Sequence, residues 1–167
     1  AITLSELQDP RGTPILLEAL ANRTFRLDAI RALGIMGDPS ALPALQFWMN
    51  RRWAPWADRL QAAAALCMLK DASAARYLQA RLSSRKKAER AAAIHFVGES
   101  KHPEALSLLL QIAENSDDPL RDVAARSLGI LGDPAAAKPL EKLLPHTTGE
   151  LNHDIQETLA TLADLSL

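Results

Sequence analysis

Hydrophobic residues recur in this chain at helical spacing, in blocks that return about every 30 residues. In one block, Ala29, Ile30, Leu33 and Met36 fall on a single helical face. A second apolar stripe, which begins at Leu42, follows at once. Similar pairs of stripes occupy most of the chain, so the pattern predicts paired amphipathic helices.

A turn motif separates the two helices of each pair. Leu33–Pro39 and Leu128–Pro134 match almost residue for residue at a shift of 95 residues. Weaker copies begin at Asp9, Asp71, His102 and Asp164, which gives steps of 29, 33, 31, 31 and 31 residues. A period of this length, in a chain rich in alanine and leucine, is typical of a stacked helical-hairpin solenoid.

The aspartate of this turn is placed to cap the helix that follows it. Its carboxylate can accept a hydrogen bond from an unpaired backbone N–H, and the next residue, often proline, needs no donor. We predict helix caps at Asp38, Asp71 and Asp133.

These patterns predict an all-α fold, a right-handed α-α superhelix of about five antiparallel helical hairpins. We expect one domain, 1–167, because no hairpin can bury its apolar stripe alone. The predicted repeats are 1–22, 23–50, 51–84, 85–115 and 116–146, and a terminal helix follows at 150–165. The composition, 48% apolar but 4% aromatic, suits helices that pack closely through small aliphatic side chains.

The two ends of the chain depart from the repeat. Only Ile2–Gln8 stands where the first helix of repeat one should lie, and the chain does not begin with methionine. Because exposed solenoid ends need capping, one interpretation is a fragment of a longer protein. The alternative is that Leu4, Leu7 and the terminal helix act as caps.

Composition and motifs argue against several functional classes. The single cysteine, Cys67, excludes an internal disulfide, and the scattered histidines give no metal-ligand spacing. Phosphate-binding glycine loops and hydrolase motifs are absent from the sequence. We therefore expect a non-enzyme without cofactor or metal. With no apolar run of membrane-spanning length and no signal peptide, we expect a cytoplasmic protein.

Charge is unevenly distributed although the net charge is only −1. Residues 50–90 carry ten basic and three acidic side chains, whereas residues 91–167 carry five and twelve. This asymmetry suggests weak head-to-tail self-association. The basic turn contains Arg81, Arg85, Lys86 and Lys87, which are either simply solvated or attract an acidic or phosphorylated ligand. Specific nucleic-acid binding is not expected, because no aromatic ladder accompanies the cluster.

All three tryptophans lie in one short segment, where one repeat is two residues longer than its neighbours. Trp48 aligns with core positions of other repeats. Arg51, Arg52, Trp53 and Trp56 form a candidate partner-binding patch, since tryptophan and arginine are enriched at interaction hot spots. The alternative is that Trp53 and Trp56 fill a wider seam between repeats.

An arginine begins the first helix of four consecutive repeats: Arg26, Arg59, Arg90 and Arg121. Stacked repeats would align them in a ladder beside the turn aspartates. We favour a structural role, with ion pairs and helix-end hydrogen bonds, over an anion-binding stripe. A small residue recurs within the same helices, as Gly34, Gly98 and Gly129, with Cys67 in the remaining copy. It predicts close approach of a neighbouring helix.

These residues resemble HEAT repeats, and more narrowly the short HEAT-like repeats of the phycobilisome (PBS) lyase type. Arg26–Leu45 and Arg121–Leu140 match the family pattern well: an arginine, an alanine-rich turn, Leu-Gly-x-Leu-Gly-Asp-Pro and a leucine-rich second helix. The intermediate copies depart from it at Cys67, Lys70, Ala72, Ser100, Lys101 and His102. The resemblance implies a solenoid with its first helices on the convex face, and it implies no catalytic residue here.

The functional prediction is a non-catalytic protein–protein interaction scaffold. One alternative, suggested by the resemblance, is a lyase-like subunit that chaperones a phycobilin onto a partner. Another alternative is an anion- or nucleic-acid-binding module that uses the basic segment 50–90.

Overall fold

The computed structural model describes residues 11–165, and within this range it contains ten α-helices and no strand. They are α1 Gly12–Ala19, α2 Arg26–Met36, α3 Leu42–Asn50, α4 Trp56–Met68, α5 Ala72–Arg81, α6 Lys87–Glu99, α7 Ala105–Glu114, α8 Arg121–Leu131, α9 Ala137–Leu143 and α10 Gly149–Asp164. The all-α prediction is confirmed. The predicted helix at Ile2–Gln8, its capping residues Leu4 and Leu7, and the turn at Asp9 lie outside the described residues.

The chain divides into two compact units, Ala1–Ala93 and Ile94–Leu167, with the boundary inside α6. In the first unit α1 packs on α2, α2 and α3 pack on α4, and α4 packs on α5. In the second, α7 packs on α8, and both α8 and α9 pack on α10. Within each unit, helices that are one or two positions apart along the chain therefore pack on each other, as repeats require. The single-domain boundaries remain a prediction.

The core of the first unit is built around α4, whose residues from Leu60 to Cys67 are all buried. The small side chains here let α2 approach closely: a Cβ added to Gly34 would lie 2.8 Å from the Cα of Ala65. This confirms the close approach predicted for Gly34. Cys67 is a buried packing residue, and burial, aided by Asp71, raises the pKa of its thiol to about 12. The thiol thus stays protonated and unreactive.

The core of the second unit contains fully buried side chains from each of its helices, including Leu109, Leu128 and Ile155. A Cβ on Gly98 would lie 2.5 Å from the carbonyl oxygen of Ser127. A Cβ on Gly129 would meet only the Thr158 side chain, at 3.3 Å. The glycines of the repeat therefore differ in how closely they are covered.

In each described turn between paired helices, one residue has a left-handed backbone conformation, with positive φ. Gly37 and Gly132 both have φ of 69°, and the corresponding Lys70 and Lys101 have φ of 64° and 52°. Lys101 also gains contacts, because its Nζ donates to carbonyl oxygens at the end of α8, at 2.7 and 2.6 Å. A lysine thus both forms the turn and caps a helix C-terminus.

The turn aspartates accept hydrogen bonds from backbone N–H groups two residues ahead. Asp38 accepts from Ser40 at 2.9 Å, and Asp71 and Asp133 make equivalent bonds at 2.8 and 2.9 Å. The predicted start of the next α-helix at Pro39 is wrong by three residues. Pro39–Ala41 forms a 3₁₀ turn closed by Ala41 N–H donating to Asp38 O, and α3 begins at Leu42.

Candidate functional site

An open pocket of about 540 Å³ lies in the first unit, between the loop that follows α1 and the loop that follows α3. We call it the arginine pocket; its lining residues are Ala21, Arg23, Arg26, Trp48, Arg51, Trp53, Ala54 and Pro55. Three guanidinium groups and two indole rings therefore share one concave surface.

Arg26 is the most firmly held of the three arginines. Its Nε donates to the carbonyl oxygen of Leu20 at 2.8 Å, and its Nη1 pairs with the buried carboxylate of Asp58 at 3.1 Å. Its guanidinium also lies over the ring of Trp48, 4.1 Å from the centroid. Its Nη2 donates to the carbonyl oxygen of Ala21 at 3.4 Å, so three of its five N–H donors are used and the group is fixed in place at the pocket wall.

Arg51 is held by aromatic rings instead of carboxylates. Its guanidinium lies 5.2 Å from the ring centroid of Phe47 and 5.3 Å from that of Trp48. Arg23 lies on the other wall and is exposed. Over residues 11–165, neither Arg23 nor Arg51 has an acidic partner. The pocket thus carries two positive charges that no described carboxylate neutralises.

Trp53 projects from the rim of the pocket into solvent. Its side chain is 88% exposed, and the guanidinium of Arg52 lies 5.9 Å from its ring centroid. The interpretation that Trp53 fills a seam between repeats is therefore wrong, because a seam would bury it. Trp56, the first residue of α4, is 43% exposed, whereas Trp48 is buried as predicted.

Exposed aromatic side chains concentrate around this pocket. Phe25, Phe47, Trp53 and Trp56 are the exposed large aromatics of the described chain, and all belong to the segment 25–56. A clustering of such residues marks an interaction surface more strongly than scattered exposed side chains do.

The basic turn after α5 divides into two parts. Arg81 is half-buried, with its Nε 3.4 Å from Glu89 and its guanidinium 4.7 Å from the ring centroid of Tyr77. Arg85, Lys86 and Lys87 are exposed. Arg81 is therefore anchored in the fold, and the exposed charges of this turn are the other three.

The four arginines of the predicted ladder share one contact. The Nε of each donates to a carbonyl oxygen at the end of the preceding helix; the acceptors are Leu20, Met49, Leu82 and Ala113. Arg26 also makes an ion pair between repeats, as the structural role predicts, but its acidic partner is Asp58 on α4 instead of a turn aspartate. Helix-end carbonyls lack intrahelical donors, so this contact supplies a missing hydrogen bond.

A site of opposite character lies in the second unit. Oxygens of Asp122, Glu150 and Asp154 lie within 4.8 Å of one another around Arg126, a group that we call the carboxylate cluster. The guanidinium contacts Asp154 at 2.7 Å and Asp122 at 2.9 Å. Burial lowers the pKa of Arg126, but these carboxylates outweigh it and the pKa is raised. The guanidinium of Arg126 thus balances part of the negative charge of these carboxylates.

Sequence reasoning assigned Arg51 and Trp53 to a binding patch but missed three other pocket residues. Arg26 was assigned to the ladder and Trp48 to the core, and both roles are compatible with the contacts described above. Arg23 was not singled out. The repeat could have pointed to Arg23, because this residue lies 33 residues before Trp56, and 33 residues is the length of the long repeat step. Arg23 and Trp56 therefore occupy equivalent positions of adjacent repeats. Loops at equivalent positions of adjacent repeats are expected to lie side by side.

Comparisons with known families agree with the repeat pattern. The family model for HEAT repeats matches residues 51–124 and 78–160, and the model for the PBS lyase HEAT-like repeat matches residues 25–47. Among curated proteins, no sequence matches this chain. No helix of the described chain has the length and hydrophobicity needed to span a membrane.

Solved structures are similar to this chain at low sequence identity. Human deoxyhypusine hydroxylase in complex with glycerol is 17% identical over 98% of this chain and 77% of its own, with a TM-score of 0.55. The complex of CpcE and CpcF of phycocyanin lyase from Nostoc sp. PCC7120 is 21% identical over 96% and 86%, with a TM-score of 0.49. An engineered protein is 17% identical over 99% and 85%, with a TM-score of 0.48.

Proposed function

Because the chain belongs to the HEAT-repeat family, we propose that it is a non-catalytic protein-binding module whose contact surface is the rim of the arginine pocket. The observation that carries the proposal is Trp53, 88% exposed at this rim beside Arg52. A tryptophan that is free of the core contributes nothing to packing. Buried by a partner, it would supply a large apolar contact area at a low cost in side-chain entropy.

The surrounding residues support the same surface. The guanidinium of Arg51 already lies close to the rings of Phe47 and Trp48, which restrict its movement before a partner arrives. Ordered side chains lose less entropy on binding than mobile ones do. Aromatic anchors would supply most of the affinity, and the neighbouring positive charges would select an acidic partner.

The test is partner capture with two matched variants. Immobilised wild-type protein, Trp53→Ala and Ile15→Ala would be exposed to lysate of the source cells, and bound proteins identified by mass spectrometry. Ile15 is an exposed apolar residue of α1, 52% exposed and outside the pocket. We expect partners that are lost from Trp53→Ala and retained by Ile15→Ala. Equal capture by all three proteins would contradict the proposed surface.

A second candidate function is a lyase-like subunit that chaperones a phycobilin. The observation in its favour is the match of residues 25–47, which include Arg26, to the PBS lyase HEAT-like repeat. This function requires that the protein retain a free bilin, with a change in the visible absorption spectrum of the pigment. An unchanged spectrum after mixing and gel filtration would count against it.

The exposed charges Arg85, Lys86 and Lys87 stay a predicted attachment point for an acidic ligand. Head-to-tail self-association likewise stays a prediction. Sedimentation velocity at low salt and high protein concentration tests it, and a monomer under those conditions would contradict it.

A further inference from the structure

The charge balance of the arginine pocket specifies the ligand more narrowly than a general protein-binding surface does. Arg26 is paired with Asp58, so its charge is largely balanced within the fold. Arg23 and Arg51 have no acidic partner over residues 11–165. The unbalanced charge at the pocket is therefore about two, which matches a dianion better than a single carboxylate.

The geometry also favours an oxyanion. Guanidinium groups bind phosphate and carboxylate oxygens through paired N–H donors. Arg26 is fixed by bonds to Leu20 and Asp58, and Arg51 by its rings, so two of the three forks are oriented before a ligand arrives. An anion that enters the pocket would meet donors from both of its loops.

The rim indicates that a peptide carries this anion. Trp53 stands beside the guanidinium groups and offers an open ring face for an apolar side chain near the charged group. A single-stranded nucleic acid would instead need a continuous basic track with several stacking rings. The pocket is one concave site of about 540 Å³, of a size for one or two side chains.

We infer that the arginine pocket receives a doubly charged group on the partner's chain, either a phosphate monoester or two adjacent carboxylates, while a neighbouring apolar side chain packs on Trp53. The inference rests on the proposed function, because it names the chemistry by which the partner is held. Phosphate monoesters carry close to two negative charges at neutral pH, and both groups use the same arginine forks.

The test is a fluorescence titration, because Trp48 and Trp53 line the pocket and report on its occupancy. The probes are three acetylated, amidated peptides: Gly-Phe-phosphoserine-Gly, Gly-Phe-Asp-Asp-Gly and Gly-Phe-Ser-Gly. We expect the first or second to bind about tenfold or more tightly than the third. Tighter binding of the phosphopeptide identifies phosphate as the source of the charge, and tighter binding of the Asp-Asp peptide identifies carboxylates.

Matched variants locate the binding. Arg23→Gln with Arg51→Gln removes the two unbalanced charges, and Arg85→Gln with Lys86→Gln removes two exposed charges outside the pocket. We expect the first pair to weaken binding about tenfold or more and the second to change it by less than about twofold. Thermal unfolding of each variant checks that the fold is retained.

Three outcomes would overturn the inference. They are no binding of either charged peptide, an equal loss in both double variants, and tighter binding of a single-stranded oligonucleotide than of the peptides in wild-type protein. The proposed function is tested separately. A partner that is lost from Trp53→Ala but retained by the double variant Arg23→Gln with Arg51→Gln would support the proposed contact surface and contradict the inference about the anion.

Discussion

Two arginine sites of this protein have opposite balances of charge. In the arginine pocket of the first unit, three guanidinium groups have one acidic partner among the described residues, Asp58. In the carboxylate cluster of the second unit, one guanidinium, Arg126, has three acidic neighbours. The difference determines what each site can do: the first has positive charge left to attract an anion, whereas the second has more negative than positive charge and repels one.

The two sites also use buried carboxylates differently. The side chains of Arg26 and Asp58 are both shielded, 14% and 9% exposed, so their ion pair is a buried one. Arg126 is 43% exposed although its partner Asp154 is buried. Solvent screens the second pair more strongly. The same type of contact should therefore contribute more to stability in the first unit than in the second.

The largest effect should come from breaking the buried pair. Arg26→Ala leaves Asp58 buried without its partner, and it also removes the bond to Leu20 and the stacking on Trp48. We expect the free energy of unfolding to fall by about 3–4 kcal/mol in urea denaturation. The control is Arg26→Ala with Asp58→Ala, which removes the orphaned charge and should recover part of the loss. A loss below about 1 kcal/mol would contradict the account.

Packing at the repeat glycines Gly34 and Gly129 should differ between the two units as well. Gly34→Ala in the first unit brings a Cβ to 2.8 Å from the Ala65 backbone, whereas Gly129→Ala in the second meets only the side chain of Thr158. We expect Gly34→Ala to cost about 2–3 kcal/mol despite the better helix propensity of alanine. Gly129→Ala should change stability by less than about 1 kcal/mol, because its contact at 3.3 Å requires only a small shift of the Thr158 side chain. Thermal unfolding measures both effects. Equal losses of stability in Gly34→Ala and Gly129→Ala would show that the two glycines are packed equally closely.

The carboxylate cluster should give a smaller, screened effect. Arg126→Ala leaves Asp154 buried beside two other acidic groups, and we expect a loss of about 2 kcal/mol at low salt, discounted for the exposure of the arginine. Added sodium chloride should reduce this loss, whereas the loss in Arg26→Ala should depend little on salt. Urea denaturation at two salt concentrations checks both. If the stability losses of Arg126→Ala and Arg26→Ala depend equally on salt, solvent does not screen the two ion pairs differently, and this would contradict the account.

The sequence predicted the repeats but not the pocket. Periodicity placed α8 and its Gly-Asp-Pro turn, because each repeat position has one packing environment that recurs along the chain. The pocket instead depends on two loops meeting, and Arg23 and Arg51 belong to different repeats. The position of Arg26 in the repeat predicts its hydrogen bond to a helix end but not its place in the wall of the pocket.

The sequence also does not predict which individual side chains are exposed. Trp48 and Trp53 lie five residues apart, yet one is buried and the other is 88% exposed. Alignment with Ile112 and other core positions identified Trp48, whereas Trp53 lies between Trp48 and Arg59, where this repeat is two residues longer and the alignment fixes no counterpart. Arg81 shows the same limit, because Tyr77 and Glu89 hold it away from the exposed basic turn.

The smallest predicted effect concerns acid stability in the first unit. The Thr13 hydroxyl, followed by the Ser40 N–H, holds the pKa of Asp38 below its ordinary value of 3.8. A lowered native pKa stabilises the fold above the ordinary value, and this contribution is lost as the pH falls through the native value. Thr13→Val should therefore lower stability by about 1 kcal/mol at neutral pH and flatten the acid limb below about pH 4. The measurement is the melting temperature from pH 2 to 6, with exposed Thr24→Val as the control; an unchanged acid limb would contradict the role of Thr13.

The most direct test of the contrast between the two sites is an NMR titration of the arginine side-chain N–H signals with the phosphoserine peptide. The account predicts that the signals of Arg23, Arg26 and Arg51 shift together and saturate, while that of Arg126 stays in place because the three carboxylates around it repel an anion. If Arg126 shifts as much as the pocket arginines, or if none of them moves, the assignment of the pocket as an anion receptor is wrong.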